Sequence, residues 1–197
     1  GSIIKAGMLE KEAFGDSRTF GSPGSWNDGA DLYFPAEGGL WVAWHRVSGS
    51  AEAILAEEPA SGRRWRITPE GASALSPPRI APDGFGGFWI LWTGRIEGTY
   101  VVAARRWEGN SWSGERRLFE NGEKPCLQPD AALGRDGVLR AAWSSFDGSR
   151  YRIQAAELSD GGWTDIPLQV KKTGTGQNPR LVTLDDGRPA VLWADTG

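Results

Sequence analysis

Four charged residues pose the first chemical question: Asp31, Arg79, Asp130 and Arg180. They lie 48, 51 and 50 residues apart and alternate acid, base, acid, base. Arginine forks suit carboxylates and phosphates, and aspartates accept sugar hydroxyls or hold a cation. If a repeating fold brings the four together, two outcomes are open. They form mutually satisfied ion pairs, or they floor a polar-ligand site. His45 is the sole histidine, too little for an ordinary zinc site, and no acid and nucleophile pair with it legibly. It is carried as a ligand-binding candidate beside the plainer reading of an idle surface histidine. Trp26 and Trp107 fall outside the repeat described next, so they are candidate exposed platforms for sugar rings. Glu57-Glu58, Asp83 and Asp185-Asp186 supply further carboxylates. Asp83-Gly84, Asp136-Gly137 and Asp186-Gly187 recur at one turn, which favours turn-making over catalysis.

The elements that must position these residues follow a rhythm. Trp44, Trp92, Trp143 and Trp193 each end an apolar run and are 48, 51 and 50 residues apart. Twelve residues before each comes Leu32, Ile80, Ala131 or Leu181, directly after one of the four charges. Ten residues after the first three come Ile54, Val102 and Ile153, and two residues further Ala56, Ala104 and Ala155. Trp65, Trp112 and Trp163 close the unit after the turns SGRRW, EGNSW and SDGGW. The spacing predicts four short strands, A to D, in about 50 residues. Runs such as Phe88–Trp92 are apolar on consecutive positions, so their sheets are expected to be covered on both faces. The four recurring tryptophans are expected in the core. Ile3–Ala6 matches strand C, and Phe14 stands where other repeats place tryptophan. The last repeat stops after strand B. The N-terminal strands C and D are therefore expected to complete the C-terminal A and B.

Composition narrows the function. The chain has 197 residues and 21.3 kDa, with 28 Gly, 12 Pro and 11 Trp, a mix that favours short strands and tight turns. A net charge of -3 and no basic run beyond Arg63-Arg64-Trp65-Arg66 argue against a nucleic-acid partner. One cysteine, Cys126, excludes an intramolecular disulfide and a cysteine-rich metal site, and no metal or cofactor is expected. No membrane-spanning run or signal peptide is visible. Gly1-Ser2 has the look of a cleavage scar, so an extracytoplasmic location with its targeting segment removed stays open.

Four-stranded repeats of this length, tryptophan-rich and closed by the termini, resemble the β-propeller superfamily. The repeat is generically similar to sialidase-like and lectin-like bacterial propellers. The resemblance implies an all-β, four-bladed propeller over residues 1–197. Its blades are 27–70, 71–119, 120–172, and 173–197 completed by 1–26. A β-sandwich with accidental spacing is the rival fold. Within the propeller reading, a piece of a larger ring and half of an eight-bladed ring completed by a second copy are the alternatives, and closure between chains stays open. The sialidase Asp box is only loosely echoed, in Ser159–Trp163 and Trp107–Trp112, and no sialidase active site is carried over. In a propeller the strand A starts converge near the central channel, which would gather the four charges. The expected function is a non-enzymatic binding module for a glycan or a protein on that rim. A glycoside hydrolase and a structural or homo-oligomerising domain are the alternatives.

Overall fold

The computed structural model describes residues 1–10, 13–21, 24–36, 39–159, 162–168 and 174–196. Asp160 and Gly161 of the turn before Trp163, the Phe14 side chain and Gly197 lie outside what is described. The fold is all-β, and every strand pairing among the described residues is antiparallel. Among the described residues no helix is long and apolar enough to cross a membrane.

The chain opens with a hairpin, β1 (Ile4–Glu10) and β2 (Ala13–Phe20). The first four-stranded sheet follows: β3 (Trp26–Tyr33), β4 (Trp41–Ser48), β5 (Ala51–Glu58) and β6 (Arg63–Arg66). In the second sheet the innermost strand is split into β7 (Ser73–Ala74) and β8 (Arg79–Pro82), both paired with β9 (Phe88–Ile96). Pro77 and Pro78 lie in the gap, where neither can donate a ladder hydrogen bond. β10 (Thr99–Trp107) and β11 (Arg116–Glu120) complete that sheet. The third sheet is β12 (Cys126–Leu133), β13 (Leu139–Phe146), β14 (Tyr151–Ser159) and β15 (Gly162–Asp165). A second hairpin, β16 (Thr175–Thr183) and β17 (Pro189–Thr196), ends the chain.

Sheets pack face to face in chain order. Phe20 meets Trp44 at 6.1 Å between ring centroids, seating the first hairpin on the first sheet beside Ile4 and Ala6. The first and second sheets meet through aromatic rings: Trp41 lies 5.0 Å from Phe88 and 4.9 Å from Trp107, with Trp65 of its own sheet stacked on it at 5.1 Å. The second and third sheets meet through smaller side chains, with Ala81, Leu91 and Ala104 against Leu139, Ala141 and Trp143. The alanines recurring on the third strands, Ala56, Ala104 and Ala155, are all buried and let sheets approach closely. Trp44, Trp92 and Trp143 are fully buried, and every residue from Phe88 to Gly94 is buried, as consecutive apolar positions require of a sheet covered on both faces. Cys126 is buried, and its burial pushes the thiol up to about 11 against the pull of Ser145 and Asn121.

The closed ring of four blades is corrected. Among the described residues no pairing joins β1 or β2 to β16 or β17, and the two hairpins stand as separate two-stranded sheets. Each packs on its own neighbour, at opposite ends of the row of sheets. Trp193 is corrected with it. It is 37% exposed instead of core, because β17 has no third strand beside it.

Candidate functional site

Inner strands β3, β8, β12 and β16 carry Asp31, Arg79, Asp130 and Arg180, and their packing lines the four up. Arg79 Nε lies 3.2 Å from Asp130 Oδ1, and Arg79 Nη1 lies 3.9 Å from Asp31 Oδ1. Arg180 Nη1 lies 3.9 Å from the same Asp130 oxygen. The second oxygen of each aspartate ties the next inner strand down. Asp31 Oδ2 accepts the Ile80 N–H at 2.8 Å, and Asp130 Oδ2 accepts the Leu181 N–H at 2.7 Å. Each aspartate is thus both half of an ion pair and a splice between sheets.

Burial differs along the row. The Asp130 side chain is 13% exposed, Asp31 and Arg79 are 25% and 27% exposed, and Arg180 is 52% exposed. Burial pushes the Asp130 carboxyl above the usual aspartate value, while the Leu181 N–H, Arg79 and Arg180 pull it down.

A device that the sequence reading passed over sets the aim of these side chains. Gly29, Gln128 and Asn178 have φ of 46°, 57° and 52°, and the strand register slips at each. Gln128 and Asn178 hold this left-handed conformation without being glycine, a strain that concentrates at functional positions. At Gly29 a side chain would run into the Pro77 ring. Such bulges re-aim the residues that follow them, here Asp31, Asp130 and Arg180. The Gln128 side-chain oxygen accepts the Asn178 N–H at 3.0 Å, and the Gln128 N–H donates to Ser76 Oγ at 3.3 Å. The signal was present as Pro77-Pro78-Arg79, Gln128-Pro129-Asp130 and Asn178-Pro179-Arg180, a proline before a charge in three repeats.

The other candidates separate. Trp26, on β3, is 59% exposed. Trp107 is corrected: it is 8% exposed, locked between Trp41, Trp65 and Trp112, and offers no stacking face. His45 lies opposite Asp28 and is 8% exposed, with Nε2 lacking a partner among the described residues. Burial lowers its pKa, and Glu52 and Asp28 oppose that shift. The Asp-Gly turns behave as turns. Asp83 accepts the Phe85 and Gly87 N–H groups and pairs with Arg106, and Asp136 and Asp186 accept the Val138 and Arg188 N–H groups. Among the described residues no group of three or more His, Cys, Asp or Glu could hold a metal ion.

No family model matches the sequence, and no curated protein matches it. Solved structures do. An endo-arabinase from Bacteroides thetaiotaomicron aligns with a TM-score of 0.57 at 21% identity, covering 83% of this chain and 68% of that one. A protein of unknown function from Dyadobacter fermentans aligns with a TM-score of 0.60 at 12% identity, covering 89% and 68%. The likeness is one of fold, to an endo-arabinase and not specifically to a sialidase-like or lectin-like propeller. It corrects the expectation of a non-enzymatic module, because the architecture this chain shares is one on which an enzyme is built.

Proposed function

We propose that this chain is a glycoside-hydrolase-like domain of propeller type, taking a saccharide along the inner-strand row. The observation that carries the reading is two carboxylates held on one guanidinium. The contacts of Asp31 and Asp130 with Arg79, at 3.9 and 3.2 Å, keep the two carboxyls within about 9.5 Å, the outer separation of an inverting glycosidase pair. The fold's likeness to an endo-arabinase supports the same class and makes arabinan the first substrate to try.

Roles follow from burial. Asp130, the more buried carboxyl, donates the proton to the leaving glycosidic oxygen as the bond from the anomeric carbon breaks. Asp31 takes a proton from the water whose oxygen bonds to that carbon. Arg79 sets the spacing of the two. Arg180, half exposed, reaches sugar hydroxyls, and Trp26 offers an indole face to a further ring.

The test is release of reducing ends from linear arabinan and a panel of other glycans. Asp130→Asn and Asp31→Asn are each expected to lower the rate by roughly 10²–10⁴-fold while glycan binding is kept. Arg180→Ala is expected to act mainly on KM. Turnover unchanged in both aspartate variants, or no glycan bound or cleaved by the unaltered chain, overturns the proposal.

A further inference from the structure

Apart from Phe85, 86% exposed in a turn of the second sheet, large apolar side chains stay in water toward the two ends of the row of sheets. Leu32 and Phe34, at the first sheet, are 47% and 58% exposed, and Leu192 and Trp193, on β17, are 60% and 37% exposed. Scattered exposed apolar residues need no explanation, but matched apolar faces mark interaction surfaces. Each of these residues has counterparts at the same repeat position that are covered. Leu192 corresponds to Leu91 and Ala142, both fully buried, whereas Trp193 alternates to the opposite face, toward Ala155 and Ile166 of the third sheet. Leu32 and Phe34 correspond to Ala131 and Leu133, which are partly buried against the cluster that joins the second and third sheets. The end faces are therefore the two halves of an internal interface, each lacking the other.

Strand inventory and charge agree. The first hairpin corresponds to the third and fourth strands of a complete sheet, and the last hairpin to the first and second. Among the described residues, one edge of β17 and one edge of β1 have no strand beside them, the kind of edge that recruits another strand. An apolar cavity of about 200 Å³ lies beside β17, lined by Ala155, Ile166, Leu181, Val191 and Trp193. At the first interface, Val101 and Ala103 of a third strand pack in one cluster with Ala56 and Ile67. In the charge row Arg79 sits between two aspartates, whereas among the described ion pairs Arg180 meets only Asp130 and Asp31 meets only Arg79.

We propose that two copies of this chain join head to tail, β17 of each adding to β1 of the other, to close one ring. Arg180 of each copy then meets Asp31 of the second copy, and the charge row runs unbroken through both chains. Two copies supply eight sheets, counting two composite ones, which is the upper end of the usual propeller range of about four to eight. A head-to-tail contact of this sort makes a ring only where the rotation closes. The register follows from the complete sheets. Ala43 pairs with Ala56, Leu91 with Ala104 and Ala142 with Ala155, which sets Leu192 opposite Ala6 of the second copy. This contact does not depend on the saccharide reading.

The test uses the 197-residue chain in solution. Light scattering is expected to give twice 21.3 kDa. An Ala6→Cys chain mixed with a Leu192→Cys chain and oxidised is expected to give a covalent dimer that neither gives alone, since directly paired strand positions lie within disulfide reach and Cys126 is buried. Leu192→Arg is expected to weaken the dimer at least tenfold while circular dichroism of the single copy stays unchanged. A monomer at high concentration overturns the proposal. So does a disulfide formed within one chain by the double variant, which would mean ring closure without a partner. A ladder of longer covalent polymers overturns the two-copy ring.

Discussion

Trp92 and Trp193 hold the same place in the repeat, yet one is fully buried and the other is 37% exposed. Their own strands are alike, each an apolar run paired to an inner strand. What differs is what stands beside them. Trp92 has β10 alongside, and its ring belongs to the cluster shared with the first sheet. Trp193 has no third strand beside it among the described residues and faces a cavity against the third sheet. Burial in this architecture is conferred by neighbouring sheets, and a residue's type earns it only where the neighbour exists.

The contrast can be broken most directly by truncation. Trp92→Ala is expected to lower stability by about 3–5 kcal/mol, from lost packing and the cavity left behind. Trp193→Ala, made in the dissociated Leu192→Arg background, is expected to lower it by about 1 kcal/mol or less. Urea unfolding of both measures the difference, and equal losses would show that the end face is as tightly packed as the interior. Overpacking gives a smaller effect in the same sense. Ala104→Leu, between the second and third sheets, is expected to cost about 1–3 kcal/mol, whereas Ala194→Leu, exposed on β17, is expected to change stability by under about 0.5 kcal/mol.

The smallest effect is a pH dependence confined to a complete sheet. Burial holds the His45 imidazole below its ordinary 6.5. The unfolded chain therefore takes up a proton that the folded chain resists. The stability this contributes is present above pH 6.5 and is lost as pH falls from there toward the folded value. Thermal melts of the unaltered chain are expected to drop across that window, and His45→Gln is expected to flatten the drop. A slope unaltered by the substitution would assign it to groups on the open faces instead.

The interior of the fold was legible because its signal repeats. Consecutive apolar runs, the tryptophans ending them and the alanines on the third strands each state one physical demand three times, and three agreeing copies outweigh local ambiguity. The charge row was legible for the same reason: Asp31, Arg79, Asp130 and Arg180 share a repeat position, so whatever gathers the inner strands gathers them. Trp107 was not legible. Position outside the repeat suggested exposure, but at the end of β10 its ring folds back into the aromatic layer beside Trp41, a contact set by sheet packing and not by strand pattern. The bulges at Gln128 and Asn178 were missed because a left-handed residue before proline leaves no hydrophobic trace. Ring closure failed as an inference for a different reason. The ends of the sequence match as complements, and complementarity does not specify whether the match is made within a molecule.

The lone thiol gives this architecture a built-in reporter of breathing motions. Cys126 starts the innermost strand of the third sheet, is inaccessible to water and is held protonated well above neutral pH by its surroundings. An alkylating reagent can reach it only when that sheet parts from its neighbour, and only the exposed thiolate reacts. The rate of Cys126 modification in an otherwise unlabelled molecule therefore times the opening of one internal seam, and comparing that rate with and without bound saccharide would show whether a ligand on the inner strands holds the seam shut.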